Sequence, residues 1–202
     1  MEDKNYLNDL KEIKEMMSKS SQFISLSGLS GVLAGIYALV GAFYVKHLLE
    51  QHVGYYITLE SKTFKLITLT AVFVLVISLI TAYTFTYKKA KKSGESMWNT
   101  SSKRLLTNFL IPLVTGGVFS ILLLKNGVFG LIAPVTLIFY GLACVNASKY
   151  TLRDVRYLGI TEIILGLLAV EYSGKGLLFW TLGFGVCHII YGGMMWFKYE
   201  RK

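Results

Sequence analysis

Two ionisable residues, Glu162 and His188, lie inside long apolar stretches of this sequence. A carboxylate and an imidazole placed together can relay a proton or bind a cationic or polar solute. If the stretches are membrane-spanning helices, Glu162 lies about one turn from the inner end of one helix, and His188 lies near the middle of the next. Keeping ionisable groups inside a bilayer costs free energy, so they often mark functional sites. The sequence therefore predicts a polar intramembrane site at Glu162 and His188.

Both residues also have purely structural explanations. Glu162 can extend to the membrane surface and pair with Arg153 or Arg156. His188 can donate a single hydrogen bond between two helices. The interpretations differ in geometry, because a functional pair requires the two side chains to lie within about 4 Å of each other or to share a water molecule. A functional pair would also lie in a pocket that opens to one side of the membrane.

No other motif in the sequence indicates catalysis or cofactor binding. It contains no HExxH, no G-x-S-x-G and no glycine-rich phosphate loop with its lysine. Cys144 and Cys187 form no CxxC, and His47 and His52 have no cysteine or carboxylate cluster beside them. With His188 as the single histidine in an apolar stretch, one chain cannot supply both ligands of a b-type haem. We predict no enzyme activity, no cofactor and no metal site.

The elements that must position these residues are transmembrane helices. Of the 202 residues, 53% are hydrophobic and 16% are charged, whereas a soluble domain typically has about 25% charged residues. Apolar stretches of roughly 20 residues separate the charges, the length that a helix needs to cross a bilayer. The sequence predicts an all-α membrane bundle of six transmembrane helices in three antiparallel hairpins. The predicted spans are residues 23–45, 66–87, 105–124, 128–148, 158–170 and 177–197.

The chain divides into two predicted regions. Residues 1–22 form a predicted amphipathic cytoplasmic helix, in which apolar residues such as Tyr6, Leu10 and Ile13 recur at helical spacing. This helix either binds the membrane surface or a partner, or packs against the inner ends of its own bundle. Residues 23–202 form a predicted single transmembrane domain.

Basic residues determine the predicted orientation, because Lys and Arg are retained on the cytoplasmic side. With both termini in the cytoplasm, sixteen of the 21 basic residues fall on that side. The net charge of +9 then follows from topology. Basic residues spread over short loops do not form a nucleic-acid-binding face, so we expect membrane lipids as partners and no nucleic acid.

The first predicted span carries a stripe of small residues. Ser27, Gly31 and Gly35 recur every fourth residue, which predicts a face on which another helix packs closely. The packing partner is either another helix of the same chain or a second copy of the chain in a homo-oligomer.

The start of this span also carries a resemblance. The segment FISLSGLSG, Phe23 to Gly31, follows a basic amphipathic start and resembles uncharacterised bacterial multi-pass inner-membrane proteins. The resemblance covers the first fifth of the chain. It implies a location in the bacterial inner membrane and no particular activity.

Three classes of function are compatible with these features. The favoured one is a non-catalytic membrane component that acts through helix packing and assembly, using the small-residue face and the N-terminal helix. The alternative is a small transporter, channel or solute-binding protein with a polar site near Glu162 and His188. The third is an intramembrane enzyme of unrecognised type. The distance between Glu162 and His188 is the measurement that best separates the first two.

Overall fold

The computed structural model describes residues 22–51 and 58–201, and within these ranges the chain is helical with no strand. The predicted amphipathic helix of residues 1–22 lies outside the described residues except for Gln22. The helices are α1 (Gly28–Glu50), α2 (Lys62–Ser93), α3 (Thr100–Lys125), α4 (Phe129–Tyr150), α5 (Asp154–Glu171) and α6 (Gly176–Tyr199). Within α6, Thr181–Cys187 is a π-helical stretch.

Five of these helices, α1, α2, α3, α4 and α6, are long and apolar enough to cross a membrane. The remaining helix, α5, has 18 residues, of which Asp154, Arg156, Glu162 and Glu171 are charged. Its length is about 27 Å at 1.5 Å per residue, close to the thickness of a bilayer's hydrocarbon core. Within the described residues, the structure is therefore all-helical with five candidate membrane spans. The fifth predicted span, residues 158–170, falls in α5, the shorter and more charged helix.

The first helix begins later than the sequence predicted, because the residues before Gly28 are extended and bonded to other elements. The Phe23 N–H donates to the Tyr150 carbonyl at 2.8 Å, and the Thr151 hydroxyl donates to the Phe23 carbonyl at 2.7 Å. At the start of α1, the Gly28 N–H donates to Glu200 just after α6. The start of α1 and the end of α6 thus lie at the same end of the bundle, which we call the inner end.

Glycines allow two pairs of helices to pack with their backbones almost in contact. Between α1 and α6, a Cβ added at Gly192 would lie 2.5 Å from the Val32 backbone nitrogen and 2.6 Å from the Gly28 carbonyl oxygen. Between α4 and α5, a Cβ added at Gly141 would lie 2.5 Å from the Gly159 carbonyl oxygen. Any larger side chain would force these helices apart.

The two remaining helices are peripheral. Helix α2 packs mainly on α1, and α3 packs mainly on α4. Their other faces carry exposed apolar side chains, for example Leu69, Phe73 and Ile111. A soluble monomer rarely exposes such a surface, whereas lipid accommodates it. The polar interior lies where α6 meets α4 and α5.

Candidate functional site

Glu162 lies in the interior of the protein. It occupies the face of α5 that also carries Gly159 and Gly166, both in close contact with α4. Its side chain is 0% exposed, and neither carboxyl oxygen has a hydrogen-bond partner among the described residues. Arg153 and Arg156 are exposed near the start of α5. Glu162 therefore does not reach the surface to pair with them.

The space for the Glu162 carboxyl group comes from Gly183 on α6. A Cβ added at Gly183 would clash with Glu162 Oε2 and with the fully buried Leu137. Gly183 belongs to the π-helical stretch of α6. Single π turns inside α-helices occur frequently at functional sites. Here the glycine and the altered helical register together make room for the Glu162 carboxyl group. No described residue donates a hydrogen bond to that group.

His188, which is 8% exposed, lies beside Glu162. Its Nδ1 lies 3.4 Å from Glu162 Oε1 and 3.1 Å from the Gly183 carbonyl oxygen, and its Nε2 lies 2.7 Å from the Tyr140 hydroxyl. Because a carbonyl oxygen can only accept, Nδ1 carries a proton and donates it to Gly183. In the neutral ring, Nε2 then accepts from Tyr140. The ring N–H is engaged with Gly183, so Glu162 remains without a donor although an imidazole nitrogen is close to it.

Aromatic rings fix the position of His188. The centroid of its ring lies 5.2 Å from that of Tyr140 and 5.7 Å from that of Phe184. Phe184 packs in turn on Trp180, with ring centroids 5.0 Å apart. These contacts limit rotation of the imidazole, and the apolar surroundings strengthen every electrostatic interaction at the site.

No lysine or arginine forms an ion pair with Glu162 among residues 22–51 and 58–201. Tyr140 and Cys144 on α4 and Cys187 on α6 also interact electrostatically with its carboxyl group. None of these three can supply a positive charge. His188 is therefore the residue that can change the charge balance around Glu162.

A metal is not suggested by the described part of the chain, where no group of three or more His, Cys, Asp or Glu side chains is arranged to hold an ion. His47 Nε2 lies 3.0 Å from the side-chain amide of Gln51 on the protein surface. His52 lies outside the described residues.

The small-residue face predicted on the first span lies against α6 of the same chain. A Cβ added at Gly31 would lie 3.3 Å from the Gly192 Cα, and one added at Gly35 would lie 2.6 Å from the Gly185 carbonyl oxygen. Ser27 precedes the helix, and its hydroxyl donates to Glu200 at 3.4 Å. Of the two packing partners that the sequence left open, the structure shows a helix of the same chain on this face.

Sequence reasoning did not include Tyr140 and Gly183 in the site. Tyr140 is a hydroxyl-bearing residue in the interior of a predicted span, which is a weak signal because tyrosine is common in apolar helices. The role of Gly183 depends on the π-helical register of α6, and no local sequence pattern reveals that register.

No protein-family model, curated protein or solved structure matches this chain. The resemblance to bacterial inner-membrane proteins therefore stays a prediction. The functional interpretation depends on the geometry of Glu162, His188, Tyr140 and Gly183.

Proposed function

We propose that this protein is a small proton-coupled membrane protein of the transporter class, in which Glu162 gains and loses a proton in contact with His188. The observation that carries the proposal is the fully buried carboxyl group of Glu162. It accepts no hydrogen bond from the part of the chain that the structure describes, and its Oε1 lies 3.4 Å from His188 Nδ1.

The argument begins with the cost of charge. An ionised carboxylate buried without hydrogen bonds or a counter-ion costs several kcal/mol in a protein interior. A protonated carboxyl group does not carry that charge, although its polar atoms still favour a partner. The arrangement in which His188 donates to Gly183 therefore suits protonated Glu162.

Loss of that proton would favour a second arrangement. An ionised Glu162 attracts the His188 N–H, because His188 Nδ1 is near both the carboxylate and the Gly183 carbonyl oxygen. A small rotation of the imidazole would transfer the hydrogen bond from Gly183 to Glu162, and the Tyr140 hydroxyl could follow the other ring nitrogen. Because Gly183 lies in the π-helical stretch of α6, protonation of Glu162 would couple to the backbone of that helix.

Glu162 and His188 meet the distance expected of a functional pair, but in the described part of the chain both are buried and do not lie in a pocket open to one side of the membrane. A proton is the ligand that best fits this closed space. The carboxyl group packs directly against Gly183 and Leu137, and both residues are buried. A larger solute would have to displace these groups or bind elsewhere, whereas a proton requires only a hydrogen-bonded route.

The assembly hypothesis has less support from the geometry. Its main surface, the face formed by Ser27, Gly31 and Gly35, is already in contact with α6 of the same chain. The polar site at Glu162 and His188 is therefore better supported than assembly through this face. The proposal includes no enzyme activity and no cofactor.

The proposed setting is the bacterial inner membrane, with both termini in the cytoplasm and α5 as a sixth span. The distribution of lysine and arginine supports this orientation. The close glycine contacts between α5 and the apolar helix α4 support membrane insertion of α5. In this arrangement the six helices form three antiparallel hairpins, lipids surround the apolar outer faces, and the inner end of the bundle is cytoplasmic.

Infrared difference spectroscopy of the purified protein in lipid nanodiscs tests the proposal directly. We expect the C=O stretching band of a buried protonated carboxyl group to disappear as the pH is raised, and Glu162→Gln to lack this band. Glu171→Gln is the matched control, because Glu171 is an exposed carboxylate at the C-terminal end of the same helix.

The same variants should then be compared in vesicles that contain a pH-sensitive dye. We expect wild type and Glu171→Gln to change the internal pH when a membrane potential is applied, and Glu162→Gln to behave like protein-free vesicles. A spectrum in which no carboxyl band titrates, or in which the titrating band survives in Glu162→Gln, would overturn the proposal.

A further inference from the structure

Helices α5 and α6 make a second polar contact at the inner end of the bundle. Asp154, the first residue of α5, accepts hydrogen bonds from Lys198 Nζ and from the Tyr199 hydroxyl on α6, both at 2.8 Å. Burial acts to raise the pKa of Asp154, but the hydrogen bonds from Lys198 and Tyr199 outweigh it and hold the pKa below its ordinary value. The contact is therefore an ionic bridge at neutral pH.

This bridge lies on the same helix faces as the buried site. Asp154 and Glu162 are eight residues apart on α5, which places them on one face about 12 Å from each other. On α6, Cys187, Tyr191 and Lys198 are spaced by four and seven residues and also share a face. The two faces oppose each other. Asp154 pairs with Lys198 at the inner level, and Glu162 lies beside His188 at a second level, deeper in the bundle.

Polar side chains also occur on this face of α6. Tyr191 lies close enough to both Asp154 and Cys187 to interact electrostatically with them. Cys187 interacts in the same way with Glu162. Glycine contacts bring α4 close to α5 and α1 close to α6. The inner half of α6, His188–Tyr199, makes few contacts with α5. The contact between α5 and this half of α6 is therefore looser than the glycine contacts on the other sides of the two helices.

We infer that the seam between α5 and α6 is the access path from the inner end to Glu162, and that the bridge between Asp154, Lys198 and Tyr199 is its gate. The inference rests on the proposed function, since it names the route by which the proton of Glu162 exchanges. When the bridge opens, water reaches Tyr191 and Cys187. The buried apolar side chains at this end, Val155 and Leu158 on α5 and Met195 on α6, must then move aside.

Cys187 provides a natural reporter for this path. A negatively charged, membrane-impermeant methanethiosulfonate reagent reacts with thiols that water reaches, and lipid excludes it. Mass spectrometry of the protein in nanodiscs can measure the modification of Cys187 and of the fully buried Cys144 in the same sample. Cys144 serves as an internal control for folding, because its modification would report general loosening of the bundle.

We expect Asp154→Asn and Lys198→Gln each to accelerate modification of Cys187 about fivefold, the effect of losing one partly exposed ion pair, while Cys144 stays unmodified. Glu50→Gln is the matched control. It removes the exposed pair between Lys46 and Glu50 at 3.7 Å and should leave the rate unchanged.

Unchanged labelling in both bridge variants, with a titrating Glu162 band still present in wild type, would overturn the gate and leave the proposed function standing. The opposite result would be accelerated labelling without any titrating Glu162 band. It would support the path and its gate while removing the proposed function. Equal acceleration in Glu50→Gln, or modification of Cys144 as well, would also overturn the gate, because the effect would then not be specific to the bridge.

Discussion

The two sides of α6 differ in how they pack against their neighbours and in how they surround a carboxyl group. Toward α1, the helix presents Gly192 to the backbone of its neighbour and Gly185 to the Leu39 side chain. The carboxylate at that interface, Glu200, receives the Gly28 N–H at 2.5 Å and Lys89 Nζ at 3.2 Å. Toward α4 and α5, the helix presents Gly183 and His188 to a carboxyl group that has no donor.

The difference indicates which carboxyl group has a structural role. Glu200 is bonded to the start of α1 and to α2 through Lys89, so it joins three helices at the inner end. A carboxylate with these partners is stabilised in its charged form. Glu162 is buried without such partners and gains from a change of protonation. Under the proposed function, Glu200 then serves stability, whereas Glu162 exchanges a proton.

The largest expected effect on stability is at the α1 side. Gly192→Ala places a methyl group against the backbone of Val32 and Gly28, which cannot move without separating the helices. We expect a loss of about 3 kcal/mol in the free energy of unfolding, measured by SDS titration in mixed micelles. Gly193→Ala is the matched control, because nothing lies within 4 Å of a Cβ at Gly193. Similar losses in the two variants would show that the glycine contact with α1 is not what holds α6.

A smaller effect on stability, but a large one on the site, is expected at Gly183. Gly183→Ala meets the ends of the Glu162 and Leu137 side chains, which can shift, so we expect a loss of about 1–2 kcal/mol. The displaced carboxyl group should show a shifted infrared band or titrate at a different pH.

The control for Gly183→Ala lies two residues away in the same π-helical stretch. A Cβ at Gly185 meets the end of the Leu39 side chain on α1, a comparable steric conflict on the opposite side of α6. Gly185→Ala should therefore lose similar stability and leave the Glu162 band unchanged. An equal change of the band in both variants would mean that the two sides of α6 are not independent.

The smallest expected effect is at Glu200. Glu200→Gln removes the ion pair with Lys89 but keeps an oxygen that can accept from the Gly28 N–H. We expect a loss of about 1 kcal/mol, because both side chains of the pair are largely buried. The Glu162 band should stay as in wild type, as measured in the same infrared titration. A change in that band would contradict the structural role assigned to Glu200.

Much of the architecture follows from local sequence properties. Long apolar stretches can satisfy their backbone in lipid only as helices, so the helices containing the five most apolar stretches were predictable. The helix ends were less predictable. Residues 23–27 are not helical, and Phe23 bonds to Tyr150 and Thr151, which are distant in the sequence. The fifth span stays a prediction. The length of α5 and its contacts with α4 favour insertion into the membrane, whereas its charged residues oppose insertion.

The candidate site shows the same division. The sequence by itself determined that Glu162 and His188 are the ionisable residues inside apolar stretches, because composition and spacing are local properties. Only the tertiary structure decided that they lie 3.4 Å apart, that Tyr140 and Gly183 hold the imidazole, and that the small residues of α1 contact α6. These features depend on the rotation and register of α6, which contacts between distant segments determine and which no stretch of sequence encodes alone.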